Sequence, residues 1–126
     1  MDQSLHEQIV WQKIINITPD SFSDGGENFD SDSILGNIRS SFSDGVRCFD
    51  FGAQSTAPGA ASVSLELELE RFKSSLVPLF KNKTFREIAS GSTLSFDTFR
   101  PETIKYVMDT LIEFDLNAKH IIWNDI

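Results

Sequence analysis

Thr93-Leu-Ser-Phe-Asp-Thr-Phe-Arg-Pro-Glu-Thr-Ile-Lys-Tyr-Val-Met-Asp-Thr-Leu-Ile112 is the stretch whose reading decides the fold. Thr93 to Phe96 is a short apolar run rich in β-formers, and it is predicted to be a strand ending at Asp97. Pro101 follows in the first turn of a helix, where its missing N–H costs nothing. Ile104, Val107, Met108, Leu111 and Ile112 then recur at helical spacing, and Asn117 is predicted to close that helix. His120 to Trp123 begins another strand, which ends at Asn124 and Asp125. A strand, a helix and a strand, with a connection too long for a hairpin, imply a parallel pair and an α/β fold.

The same unit repeats towards the N-terminus. Val46 to Phe51 reads as a strand, followed by a loop of small and polar residues from Gly52 to Ala61. Before it, Ile14, Ile15 and Ile17 form a β-branched run that must stop at Thr18-Pro19. A glycine-bearing loop runs on to Phe29. Asp30 or Ser31 is predicted to cap a helix carrying Ile34, Leu35, Ile38 and Phe42, and Gly45 to stop it. Downstream of Ala61, Leu65, Leu67 and Leu69 alternate as a strand would, but Leu65, Leu69, Phe72, Leu76 and Leu79 step by four and three, and the length of the pattern decides for a helix. Ser64 caps it, Glu66 and Glu68 suit its positive end, and Pro78 is expected to kink or end it. The residues between that helix and Thr93 read only as a connection. The expected layout is a polar leader over residues 1–12, then parallel βα units over 13–126 with four strands and three helices. The strands are read as apolar on both faces.

Composition narrows the function classes. The chain has 126 residues, of which 40% are hydrophobic and 11 are phenylalanine, enough for a single packed domain. A net charge of −8 and a pI near 4.6 argue against a nucleic-acid or anionic-lipid surface, which would favour Lys and Arg. Cys48 is the single cysteine, so no internal disulfide or thiolate cluster can form. The leader lacks the apolar core of a signal peptide, and no segment has the length of a membrane span. A cytoplasmic location is expected, with no membrane or nucleic-acid partner.

In parallel α/β folds the carboxyl ends of the strands gather the ligand-binding loops. Here those ends deliver Asn16, Thr18 and Asp20, then Gln54, Ser55 and Thr56, then Asp97 and Thr98, then Asn124 and Asp125. Each has a bland alternative: Asp97 as a helix cap, Asn16 as the start of a turn, Ser55 and Thr56 as partners for loop amides. Four polar ends on one rim make the functional reading the stronger one.

Two stretches carry a resemblance. Asn16-Ile-Thr-Pro-Asp-Ser-Phe-Ser-Asp-Gly-Gly26 resembles the N-terminal signature of dihydropteroate synthases, and Asp50-Phe-Gly-Ala-Gln-Ser-Thr-Ala-Pro-Gly-Ala60 resembles their second signature. Ser95-Phe-Asp-Thr-Phe99 and Asn124-Asp-Ile126 fall in the order of that family's third and fourth strands. The resemblance runs from Lys13 onward and implies the first half of a TIM (β/α)8 barrel.

It also implies a reaction: 6-hydroxymethyl-7,8-dihydropterin diphosphate condenses with p-aminobenzoate to give 7,8-dihydropteroate and diphosphate. By similarity, Asp97 and Asn124 contact the pterin ring, whose edge presents donors and acceptors. Asn16 sits by the diphosphate and its Mg²⁺, with an amide oxygen suited to a hard ion, and Thr56 hydrogen-bonds the diphosphate. Phe22, Asp24, Ser55 and Pro58 match loop positions around p-aminobenzoate. Diphosphate leaves the pterin methylene, and the arylamine attacks the carbocation-like carbon. Catalysis is positional and electrostatic, so no side chain is assigned as nucleophile or base.

Two departures stand out. Ala57 occupies a position where the family commonly has arginine. A TIM barrel also needs about 250 residues, so the chain is expected to be inactive alone and to form a homodimer or pair with a C-terminal half. A non-catalytic pterin-binding or interaction module is the alternative, and a methyltransferase-type pterin domain is disfavoured by the first signature. His6 and His120 lack a second ligand at metal spacing. Cys48 reads as a core thiol, Glu66, Glu68 and Glu70 as a solvated helix face, and Trp11 and Trp123 as core or barrel-end residues.

Overall fold

A computed structural model describes residues 11–17, 31–53 and 63–124. The elements are β1 (Gln12–Asn16), α1 (Ser31–Ser43), β2 (Cys48–Gly52), α2 (Leu65–Lys81), α3 (Lys83–Ser90), β3 (Thr93–Asp97), α4 (Pro101–Glu113) and β4 (His120–Asn124). The four strands form one parallel sheet in the order β1-β2-β3-β4. Each strand lies beside its predecessor, as right-handed βα crossovers produce.

Strand alternation divides the sheet into two unlike faces. Ile15, Phe49, Phe51, Leu94 and Phe96 point into the core with Ile34 and Ile38 of α1, Phe72, Leu76, Leu79 and Phe80 of α2, Phe85 and Ile88 of α3, and Val107 of α4. Phe51 stacks on Phe96 at 5.5 Å between ring centroids, and Phe96 meets Trp123 at 5.4 Å. Such pairs add to plain burial because ring edges and faces carry opposite partial charge. The opposite face carries Ile14, Asp50, Ser95 and Ile122 in one row. The expectation of strands apolar on both faces therefore fails: the second face mixes aliphatic and polar side chains.

Several boundaries depart from the sequence reading. The supposed connection after α2 contains α3, a fourth helix of only eight residues. Asn82 joins the two: its N–H donates to Leu79 O at 2.9 Å, ending α2, and its Oδ1 accepts from Phe85 N at 3.0 Å, starting α3. Pro78 does not end α2, which runs on to Lys81 because buried Leu79 and Phe80 fix its last turn. Asn117 does not close α4. That helix ends at Glu113, and Asp115 takes the left-handed conformation at φ 50°. Gly45 stops α1 as expected, with φ 101°, a backbone conformation that disfavours any side chain. Ser64 caps α2, its Oγ accepting from Leu67 N at 3.1 Å. Glu68 is not solvated: it is fully buried. No helix among the described residues is long and apolar enough to cross a membrane.

Candidate functional site

Strand register builds the site. Asn16 pairs with Gly52, Gly52 with Asp97, and Asp97 with Asn124, so one row crosses all four strands at their carboxyl ends. One step deeper on the same face lies the row Ile14, Asp50, Ser95 and Ile122. The residues of a row sit one strand spacing apart, about 4.8 Å, so Asn16 and Asp97 are roughly 10 Å apart across the sheet.

Asn124 ties the two rows together. Its Nδ2 donates to Ser95 Oγ at 2.7 Å and to Asp50 Oδ1 at 3.3 Å. These bonds fix the orientation of the carboxamide. Asp50 and Ser95 are nearly fully buried, so the amide is held on a rigid base.

Asp97 is held in tension. Its carboxyl is pushed up to about 6 from an ordinary 3.8, chiefly by burial and then by hydrogen bonding with and repulsion from Asp50, with the Asn124 amide opposing the rise. Its Oδ1 is buried with no hydrogen-bond partner among the described residues. A buried acceptor without a donor costs free energy that a ligand N–H can recover. Gly52 keeps the approach open: a Cβ there would stand 3.5 Å from Asp97 Oδ2. Two strand positions below Asp50's neighbour row, Cys48 is buried, and burial followed by the nearby Asp50 charge raises its thiol pKa.

The structure thus brings Asn16, Asp97 and Asn124 onto one rim. Thr98 turns away from it, buried with its hydroxyl on Glu68 at 3.1 Å. Phe22, Asp24, Ser55, Thr56 and Pro58 lie outside the described residues, as do Thr18, Asp20, Gln54, Ala57 and Asp125. Sequence reasoning assigns Asp50 and Ser95 no role. The signal was available, because a carboxylate inside the run Val46 to Phe51 must have a reason to be buried. No cluster of three or more His, Cys, Asp or Glu able to hold a metal occurs among the described residues. Asn16 is exposed at the end of β1 and offers a single hard oxygen, which fits an ion bound chiefly by a ligand's own oxygens and water.

A family model described as "Pterin binding enzyme" matches residues 12–116. The chain belongs to the pterin-binding enzyme family. Among relatives, a folate synthesis bifunctional protein of Arabidopsis thaliana is 42% identical over 89 residues, covering 71% of this chain and 18% of that protein. A dihydropteroate synthase of Bacillus subtilis is 32% identical over 120 residues, covering 95% of this chain and 38% of that enzyme. The crystal structure of a Burkholderia cenocepacia dihydropteroate synthase complexed with 7,8-dihydropteroate superposes with a TM-score of 0.61 at 28% identity, over 95% of this chain and 34% of that one. The chain therefore spans well under half the length of these relatives. Its four parallel strands and their helices correspond to part of a TIM barrel.

Proposed function

We propose that this pterin-binding chain contributes the pterin-reading side of a dihydropteroate synthase. It would take 6-hydroxymethyl-7,8-dihydropterin diphosphate and p-aminobenzoate to 7,8-dihydropteroate and diphosphate. The observation that carries the proposal is the buried Asp97 Oδ1, without a hydrogen-bond partner among the described residues, beside the fixed Asn124 carboxamide at the carboxyl ends of parallel strands. Near neutral pH Asp97 is mostly ionised and accepts from the ring's amino and ring N–H donors, while the Asn124 oxygen and amide set which edge of the ring enters. That arrangement gives orientation, which such a reaction needs alongside electrostatic stabilisation of the leaving group.

Asn16, two strands from Asp97, would face the diphosphate end and could offer one oxygen to Mg²⁺. When bound, the ion neutralises charge on the leaving diphosphate. By the family resemblance, Thr56 is assigned to the same group and Phe22, Asp24, Ser55 and Pro58 to p-aminobenzoate. The loop with Ala57 lacks the family's arginine, which weakens anion capture there. The location is cytoplasmic.

A barrel has eight strands, and β1 and β4 are the open edges of the described sheet. Trp11 and Ile14 on one edge are 69% and 62% exposed, and Ile122 on the other is 45% exposed. Further βα units, from a second copy or a C-terminal half, cover these edges before turnover occurs. A non-catalytic pterin-binding module is the second reading, favoured by the chain's spanning only 38% of the Bacillus subtilis synthase. The deciding experiment measures diphosphate release from the pterin diphosphate with Mg²⁺ and p-aminobenzoate, with and without a C-terminal half of a related synthase. Release that depends on the added half and is lost with Asp97→Ala supports the synthase reading. Tight pterin binding with no release under either condition replaces it with the module.

A further inference from the structure

Behind the pterin-reading rim lies a buried acid to which that reading gives no task. Glu68 of α2 is fully buried. Its Oε1 accepts from Thr103 Oγ1 at 2.6 Å, Thr98 Oγ1 at 3.1 Å and Arg100 Nη1 at 3.2 Å. Arg100 donates in addition to Val63 O, and its backbone N–H donates to Thr98 Oγ1 at 3.1 Å. One carboxylate oxygen thereby gathers the first turns of α2 and α4 and the segment leaving β3.

Taking a carboxylate and a guanidinium out of water is costly, and an apolar replacement of similar volume often matches or exceeds the stability of such a pair. What the ionic version provides is a fixed geometry. Here the geometry has a destination. Thr98 directly follows Asp97, and its backbone N–H donates to Asn124 O at 3.0 Å. The Thr98 hydroxyl is fastened to Glu68 while its amide is fastened to Asn124. A rotation of Thr98 would move the Asp97 carboxylate and release the end of β4 together. The N-cap position of α4, Arg100, makes no side-chain capping bond, so Glu68, through Thr98 and Thr103, is what anchors the start of that helix against the strand end.

We propose that Glu68 is a positioning residue that acts through Thr98 to hold Asp97 and Asn124 in the geometry that reads the pterin edge. The proposal rests on the reading of Asp97 and Asn124 as pterin contacts. Glu68 touches no ligand; its effect passes along the Glu68, Thr98 and Asn124 hydrogen-bond path.

The test uses the full chain carrying Thr98→Val, Thr98→Ser or Glu68→Gln, with three readouts. These are the side-chain amide resonances of Asn124 without ligand, the Kd for 6-hydroxymethylpterin, and the thermal midpoint. Thr98→Val keeps the volume and removes the hydroxyl; it should shift the Asn124 amide signals and weaken pterin binding about tenfold, the loss expected for a hydrogen bond to a charged group. Thr98→Ser should restore both, and in an Asp97→Asn background Thr98→Val should add less than its separate loss, because the part that acts through Asp97 is already gone. Thr98→Val or Glu68→Gln lowering only the thermal midpoint, with Asn124 signals and Kd unchanged, would overturn the proposal, as would losses that simply add in the double variant. Should Glu68→Gln not fold, the Thr98 pair decides alone. If no variant, nor the wild type, binds pterin, the synthase reading falls, while the ligand-free Asn124 signals and their rescue by Thr98→Ser still decide the positioning role.

Discussion

Gly52 stands directly before the Asp97 carboxylate: a Cβ at position 52 would lie 3.5 Å from Asp97 Oδ2 and 3.6 Å from Asp97 Cβ. That distance is ordinary van der Waals contact, so one methyl fits and a branched side chain does not. Gly52→Ala should leave the fold intact and pterin affinity within about threefold, because half a kcal/mol is the usual scale of a tolerated change. Gly52→Val should cover the carboxylate and weaken pterin binding by about a hundredfold, the loss expected when a buried polar contact is blocked. Isothermal titration with 6-hydroxymethylpterin, beside a thermal melt, separates the two.

Asp97 should give stability and binding opposite pH trends. Its carboxyl in the folded chain titrates near 6, above the ordinary 3.8, so the folded state holds this proton more tightly than the unfolded state. The resulting contribution to stability is fully present below about pH 4 and is lost as pH rises through 6. Asp97→Asn should therefore be at least as stable as wild type at pH 7.5 and lose that advantage on acidification to pH 4, as denaturant melts across the range would show. Ligand binding by the ionised carboxylate runs the other way. At pH 5 only about a tenth of Asp97 is ionised, so pterin affinity should fall about tenfold from its neutral value, and Asp97→Asn should abolish that dependence.

Cys48 should be inert in the native chain. It is 8% exposed, and burial together with the Asp50 charge disfavours the thiolate that would react. Iodoacetamide at pH 8 should leave it unmodified by mass spectrometry until denaturant is added; rapid native alkylation would contradict the packing of β2.

Arg86 ties the short helix to its neighbours. Its Nη1 donates to Phe80 O at 2.9 Å and Phe114 O at 2.8 Å, and its Nη2 donates to Asp115 O at 2.9 Å. These carbonyls are left over at the ends of α2 and α4. Arg86→Met keeps most of the packing and should cost about 1 to 3 kcal/mol in urea unfolding.

Where the sequence was legible, local signals and tertiary packing agreed. Thr93–Asp97 and His120–Asn124 are strands in both readings, because a β-branched or apolar run met a polar stop. β1 begins earlier than Ile14 and β2 later than Val46, because pairing with a parallel neighbour, not residue type, sets where a strand starts. α3 escaped notice because eight residues show barely two helical turns of pattern; buried Phe85, Ile88 and Ala89 make it a helix through contacts that spacing alone cannot reveal. Glu68 reads as one of three solvated glutamates, and only the fold brings Thr98, Thr103 and Arg100 to it from 30 to 35 positions away in the chain. Asn16, Asp97 and Asn124 were legible as separate strand ends; that they form one register row with Gly52 is a property of the sheet.

The measurement closest to the central claim is direct binding of 6-hydroxymethylpterin to the full chain at pH 7.5, followed by quenching of pterin fluorescence in wild type, Asp97→Asn and Asn124→Ala. The account expects saturable one-to-one binding, with each substitution weakening it at least about tenfold, since each removes a hydrogen bond from a buried, oriented partner. Saturable binding that both variants retain at wild-type strength, with both variants folded, would contradict the assignment of this strand-end row as the pterin site.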